Sequence, residues 1–252
     1  MTEINPVAFQ IFGLPVYWYG VMISTGLLLA FLVTLTRTEK YGFDADQLVN
    51  FLLFAVPAAL IGTRIGYVVA HWDEFSGNLV SVFAVRQGGL AIHGGIFAAI
   101  LTGVIFARAT RVKFWRLADL CAPGLILGQA IGRWGNYFNQ EAYGVETGVP
   151  WAMYIAGAMR HPTFLYESLW NFMVFLYLLW VSGRERTDGG IFIRYLIWYS
   201  AGRFVIEGLR TDSAMIGGFR TAQLLSLVLI HGGLILLWWL KKQNKERLGR
   251  YL

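Results

Sequence analysis

The chain has 252 residues, of which 56% are hydrophobic and only 14% charged, and its mean hydropathy is +0.53. A soluble domain carries nearer a quarter charged residues, so this composition excludes an ordinary soluble globular protein. The net charge of +6 is placed in a way, set out below, that excludes nucleic acid as partner, and the single cysteine, Cys121, excludes an internal disulfide framework or a cysteine metal cluster.

Uncharged runs of about 20 residues have the length that a transmembrane helix needs. A transmembrane barrel would show short alternating segments instead. The first run is uncharged from Ile4 to Thr36; Pro15 is expected to start its helix, and Arg37 and Lys40 follow. No basic residue precedes Arg37, so the positive region of a cleavable signal peptide is missing and none is expected. The second span is predicted from Gln47 to Ala70, with Pro57 as a kink and Arg64 inside it, an arginine with no partner that the sequence names. A polar stretch, His71 to Arg86, leads to a third span, Gln87 to Ala107, and then to a basic loop with Arg108, Arg111, Lys113 and Arg116. The fourth span runs from Leu117 to Tyr137. A polar and aromatic connection, residues 139–162, separates it from the fifth, Thr163 to Ser182, which Arg184 and Arg186 follow. Gly190 to Leu209 and Thr221 to Leu240 are the sixth and seventh, and Lys241 opens a basic tail that reaches Arg250.

The expected fold class is all-α: a polytopic integral membrane protein of about seven transmembrane helices, in a single transmembrane domain over residues 1–252. The loops after the first, third, fifth and seventh spans hold 13 of the 21 Lys and Arg residues, including all five lysines. Basic residues mark cytoplasmic loops. The N-terminus is then expected outside, the C-terminus in the cytoplasm, and the 139–162 connection facing the periplasm.

Polar residues inside the apolar runs carry the functional signal, because an arginine at the bilayer centre costs about 2.5–3.5 kcal/mol on insertion scales. The fourth span ends in Gly132-Arg133-Trp134-Gly135-Asn136-Tyr137-Phe138-Asn139-Gln140-Glu141-Ala142-Tyr143-Gly144. A helical continuation puts Arg133, Asn136 and Gln140 on one face; a helix-packing segment with a snorkelling arginine would look similar. In the sixth span Tyr195, Tyr199, Arg203, Glu207 and Arg210 recur as one polar stripe. A self-neutralising Arg203–Glu207 pair explains two of them and leaves the tyrosines and Arg210 unexplained. Gly88-Gly89-Leu90-Ala91-Ile92-His93-Gly94-Gly95 opens the third span. Its glycines strip the backbone of side chains and are expected to let a ligand come close, although a lone membrane histidine is more often a satisfied hydrogen-bonding residue. Tyr17-Trp18-Tyr19-Gly20 reads as an aromatic anchor. His161-Pro162-Thr163-Phe164-Leu165-Tyr166-Glu167 reads as a helix start with proline in the first turn. No Gly-x-x-x-x-Gly-Lys, His-Glu-x-x-His or Gly-x-Ser-x-Gly sequence occurs, and four separated histidines with one cysteine give a metal site little support.

These stretches resemble the prolipoprotein diacylglyceryl transferases, integral membrane enzymes of bacterial lipoprotein maturation. Every fixed position of that family's signature from Gly132 to Gly144 is matched. Further matches fall at Trp18-Tyr19-Gly20, His93-Gly94-Gly95, the motif from His161 to Glu167, the run Tyr199, Arg203, Phe204, Glu207 and Arg210, and Gln223. Phe164, Ser200 and Ala222 depart from the family's glutamine, glycine and glycine. The resemblance implies transfer of diacylglycerol from phosphatidylglycerol to the lipobox cysteine thiol of a prolipoprotein signal peptide, with a thioether formed and glycerol 1-phosphate released. It implies catalytic roles for Tyr19, His93, Arg133 and Arg203, with His93 the candidate acceptor of the thiol proton. Substrate contacts are implied for Arg133, Asn136, Asn139, Glu141, Gly144, His161, Tyr199, Glu207 and Arg210. No cofactor and no metal are implied. The implied location is the bacterial plasma (inner) membrane, among its lipids, with the active site toward the outer leaflet. From the residues alone, two membrane arginines imply an anionic ligand, since guanidinium forks match phosphate oxygens. That argument also admits a phospholipid or organic-anion transporter, which would show repeat symmetry and polar residues through to the inner face.

Overall fold

The computed structural model describes residues 4–84, 88–185 and 187–249. Arg86, Gln87, Arg186 and Arg250, which bound the loops, the third span and the tail predicted above, lie outside the described residues. A hairpin, β1 (Val7–Ile11) and β2 (Leu14–Tyr17), leads directly into α1 (Trp18–Leu35). A short α2 (Thr38–Tyr41) precedes α3 (Ala45–Ala70), and a short α4 (Trp72–Phe75) and a 3₁₀ turn (Leu79–Phe83) precede α5 (Ile92–Ala109). Then come α6 (Phe114–Phe138), a hairpin of β3 (Met153–Ile155) and β4 (Ala158–Arg160), α7 (Thr163–Ser182) and α8 (Gly190–Glu207). A last hairpin, β5 (Met215–Ile216) and β6 (Phe219–Arg220), opens α9 (Thr221–Gly249).

Among the described residues, seven helices reach 18 residues or more. Five of them, α1, α3, α5, α7 and α9, are long and apolar enough to cross a membrane by length and composition. The other two, α6 and α8, each carry three charged residues: Arg116, Asp119 and Arg133 on one, Arg194, Arg203 and Glu207 on the other. The chain is a mostly helical, multi-pass membrane protein.

Pro15 does not start α1. It sits in β2, paired with Gln10, and the helix begins three residues later. The reason lies in the turn. Phe12 and Gly13 both take positive φ, 49° and 79°, the two-residue turn whose twist matches paired strands. Ala156-Gly157 and Gly217-Gly218 close the other two hairpins in the same way.

The chain forms two compact units, Met1–Thr36 with Ala118–Leu252, and Arg37–Leu117. In the larger unit α1 and α6 meet through small residues. A Cβ on Gly26 would lie 2.9 Å from the Gly128 carbonyl oxygen, and one on Gly124 would lie 2.7 Å from the Ala30 carbonyl oxygen. Glycines four apart let helix backbones approach where lipid offers no hydrophobic drive to packing. Behind this seam Ala122, Ile126, Val174, Phe175, Leu178, Val181, Ile191 and Tyr195 form the buried core of α6, α7 and α8. Asp119 of α6 ties the start of α8 to that core. Its carboxylate accepts from Gly189 N at 2.7 Å, Ile191 N at 2.9 Å and Phe192 N at 2.8 Å, donors that a helix N-terminus otherwise leaves unpaired.

In the smaller unit α3 and α5 cross at Gly62 and Gly66 against Gly94, and a Cβ on Gly95 would strike the Thr63 side chain at 2.5 Å. Two of the glycines around His93 thus admit a neighbouring helix, not the ligand that the sequence led us to expect. Arg64 finds its partners in the following loop. Its guanidinium donates to the carbonyls of Val82 and Ser81 at 2.7 Å each, Gly88 at 2.8 Å and Gly89 at 2.9 Å. Four charge-assisted bonds explain how this arginine stays buried without a carboxylate.

Candidate functional site

The site is built around Glu167, in the second turn of α7 and 3% exposed. Arg133 of α6 reaches its Oε2 at 2.6 Å, and Arg203 of α8 donates to its Oε1 at 2.8 Å. The other end of the Arg203 guanidinium lies 2.8 Å from Glu207, one turn further along the same helix. Arg210, just past the end of α8, stands 3.8 Å from Glu167 and 4.0 Å from Glu207. Its fork closes on Asp212, with Nε to Oδ1 at 2.9 Å and Nη2 to Oδ2 at 2.7 Å. Burial works to raise the Asp212 carboxyl, but the hydrogen bonds and charge of Arg210 outweigh it and hold the group below its usual range.

The inner cluster therefore sets three guanidinium groups against two buried carboxylates. The third negative charge, Asp212, is half exposed at 49%, where water screens it. The cluster keeps a positive excess toward anything that enters it. The three arginines are not equivalent. Arg203 is committed to Glu167 and Glu207, and Arg210 to Asp212. Arg133 spends only Nη2; its Nε and Nη1 bond no described residue, and at 21% its side chain is the most exposed of the three. The Arg133 fork is the one open to an anion.

The remaining candidate residues are placed as follows, each within its own unit. Tyr19, in the first turn of α1, lays its ring on Gly135, where a Cβ would meet it at 2.7 Å. Asn136 and Asn139 both donate to Glu141 Oε1, at 2.9 and 3.3 Å. Gln140 does not share the face of Arg133 and Asn136, because α6 ends at Phe138 and Gln140 turns away with φ 52°. Its side chain instead accepts from Ala156 N at 2.9 Å, in the β3–β4 turn. Gly144 lies in an extended segment between two others: its N–H donates to His161 O at 3.0 Å, and it bridges Arg210 on the other side. A Cβ there would lie 2.7 Å from His161 Cβ and 2.9 Å from its carbonyl oxygen, so only glycine fits. Tyr199 stacks obliquely on Tyr195, whose hydroxyl accepts from Gln129 Nε2 at 2.9 Å. Phe164, where the family has glutamine, is buried against Tyr137 and Trp134 with centroids at 4.9 and 5.4 Å, a packing role with no polar contact to lose. In the smaller unit, His93 is exposed in the first turn of α5 and bonds no described residue.

Sequence reasoning brought Arg133, Arg203, Glu207 and Arg210 forward and missed Glu167, taking it as part of a helix start. The signal was present: Glu167 is the lone acidic residue in the fifth apolar run, and a lone carboxylate in a spanning helix calls for a buried cation. Asp212 was missed because it lies outside any apolar run.

Comparison with known proteins gives the family of the chain. A family model described as prolipoprotein diacylglyceryl transferase matches residues 6–239. A phosphatidylglycerol–prolipoprotein diacylglyceryl transferase of Bacillus cereus (strain B4264) is 46% identical over 242 residues, covering 91% of this chain and 90% of the relative. The protein of the same name from Bacillus anthracis has the same identity and coverage.

Proposed function

The chain belongs to the prolipoprotein diacylglyceryl transferase family, and from that premise we propose the reaction it performs and the residues that perform it. It transfers the diacylglyceryl group of phosphatidylglycerol to the lipobox cysteine thiol of a prolipoprotein signal peptide, the first step of lipoprotein maturation. The carbon–oxygen bond between the diacylglycerol and the phosphate breaks, a carbon–sulfur bond forms, and glycerol 1-phosphate leaves. The nucleophile belongs to the substrate, so the enzyme needs no cysteine of its own.

One observation carries the assignment of roles: Glu167 holds Arg133 and Arg203 by opposite oxygens while the Arg133 fork stays open. Arg133 binds the lipid phosphate and stabilises the charge that grows on it as the bond breaks. Arg203 and Glu207, with Glu167, fix the arginine cluster; Arg210 and Gly144 fix the strand beside it. Asn136, Asn139, Glu141, His161, Tyr199 and Tyr19 line the headgroup and thiol. His93, which the family resemblance marks as important and whose ordinary imidazole chemistry suits proton transfer near neutrality, accepts the thiol proton. The seven long helices cross the bacterial inner membrane with the N-terminus outside, so that residues 139–162 and the arginine cluster serve the outer leaflet.

The test uses purified protein in vesicles with a lipobox peptide. Phosphatidylglycerol vesicles should yield thioether-linked peptide and phosphatidylethanolamine vesicles should not; equal turnover of both lipids would show that the headgroup is not read. His93→Gln should lose about 10²–10⁴-fold in single-turnover rate near neutral pH and recover part of it at higher pH, where more thiolate is supplied. A near-wild-type rate at pH 7 would remove His93 as the base.

A further inference from the structure

Three polar side chains run in series one strand away from Arg210. The Trp151 indole donates to Tyr166 Oη at 2.7 Å, and Tyr166 Oη lies 3.1 Å from His161 Nδ1. An indole N–H only donates, so the phenolic oxygen is the acceptor of the first bond. The phenol then has its own proton to place. Among the described residues the one acceptor in its reach is His161 Nδ1. A neutral imidazole that accepts at Nδ1 carries its proton on Nε2.

The ring has little freedom to escape this arrangement. His161 N donates to Val145 O at 3.1 Å, its carbonyl accepts from Gly144 N at 3.0 Å and Thr163 N at 2.9 Å, and its Cβ lies 2.7 Å from where a Cβ on Gly144 would stand. Gly144 in turn bridges Arg210. Nε2 bonds no described residue and is not among the buried unpartnered atoms, so its N–H is left for something outside the protein.

We infer that Trp151 and Tyr166 hold His161 as the neutral Nε2–H tautomer, and that His161 thereby donates a hydrogen bond to an oxygen of the phosphatidylglycerol headgroup. A ring with Nδ1 occupied and Nε2 protonated has no lone pair for a substrate proton, so His161 binds and orients and takes no part as a base. Tyr166 and Trp151 are positioning residues that act through it. This rests on the reaction proposed above.

The experiment has a spectroscopic arm and a kinetic arm. Full-length protein with ¹⁵N-labelled histidine in phosphatidylglycerol nanodiscs is compared with His161→Gln, which identifies the His161 signals among those of the four histidines. Wild type should show a bare Nδ1 and a protonated Nε2, and Tyr166→Phe should convert this to a mixture of tautomers. A proton on Nδ1 in wild type, or an unchanged spectrum in Tyr166→Phe, overturns the inference. In the kinetic arm, His161→Gln sets an amide N–H near the Nε2 position and His161→Asn sets one near Nδ1. His161→Asn should raise the KM for phosphatidylglycerol about tenfold, the worth of one neutral hydrogen bond, with kcat little changed, and His161→Gln should restore most of it. Equal loss of kcat in both variants, with unchanged thermal unfolding, overturns the donor role. If wild type transfers no lipid at all, the proposed reaction fails, while the tautomer spectrum still decides how His161 is held.

Discussion

Glu167 shows how one carboxylate sets the behaviour of a whole cluster. It is buried, and a buried carboxylate persists only when paired and hydrogen-bonded. Its two oxygens go to two different helices, Arg133 of α6 and Arg203 of α8. Glu167→Gln keeps the shape but leaves two guanidinium groups short of a counter-charge. Breaking a buried ion pair by removing one partner costs about 3–5 kcal/mol, so this variant should unfold at a clearly lower temperature in detergent as well as lose activity. Arg203→Lys should behave similarly, because an ammonium cannot bridge Glu167 and Glu207 as the planar fork does. Arg133→Lys should separate the two effects. Its single contact to Glu167 can be made by an ammonium, and what disappears is the open fork. Its transferase rate should fall about 10²–10³-fold with a far smaller change in thermal unfolding. Parallel melting curves and kcat/KM values for the three variants decide the matter; equal destabilisation by Arg133→Lys and Arg203→Lys would contradict the division of labour.

The helices were legible in the sequence because their signal is long: an uncharged run of about 20 residues has few other uses. Each of the seven predicted spans starts or ends within a few residues of a long helix, α1, α3, α5, α6, α7, α8 or α9. The first was misread at its start because Pro15 suits a helix N-terminus as well as an edge strand, and the turn at Phe12-Gly13 has no composition that announces positive φ at phenylalanine. The glycines were legible as close approaches but not as to what approaches. Gly94 and Gly95 receive α3, Gly26 receives α6, and Gly135 receives the Tyr19 ring. The motif's last glycine, Gly144, is the most demanding, since the atoms against it include two carbonyl oxygens of the main chain, at 2.9 and 3.1 Å. Backbone cannot swing aside as a flexible side chain can. Gly144→Ala should therefore part the strand from His161 and Leu209, at a cost of about 1–3 kcal/mol for overpacking. It should lower both the unfolding temperature and the activity. Unaltered melting with full activity would show that the segment gives way more easily than its contacts imply.

At the scale of the whole molecule, the question is which way the chain threads the bilayer. Five helices meet the length and apolarity of a span outright. The two that do not, α6 and α8, are less apolar and carry polar and charged residues along their length, and charge in a spanning helix is tolerated where it is paired inside the protein. In α8 Arg194 pairs with Glu185, and Arg203 pairs with Glu167 and Glu207. In α6 Arg133 pairs with Glu167, and Asp119 accepts three backbone N–H groups. With these charges satisfied internally, both helices are able to cross, and the seven crossings proposed above would put the chain's ends on opposite sides. An odd number also fits the lysines, all five of which fall in loops on one predicted side. Five crossings, with α6 and α8 lying outside the bilayer, would likewise separate the ends, so labelling the termini alone cannot distinguish the two. The β3–β4 connection between α6 and α7 does distinguish them when it is compared with a loop between α8 and α9. In the seven-span arrangement Gly148, after the fourth crossing, and Gly217, before the last, lie on the same outer side, while Gln243 and the Lys113 loop lie inside. Single cysteines at Gly148, Gly217, Lys113 and Gln243, in a Cys121→Ser background, should label in two pairs with a membrane-impermeant thiol reagent: the first two from outside, the last two only after the membrane is opened. Labelling of Lys113→Cys and Gly148→Cys from the same side would take α6 out of the membrane, and with it the argument that its arginine meets the lipid headgroup at membrane depth.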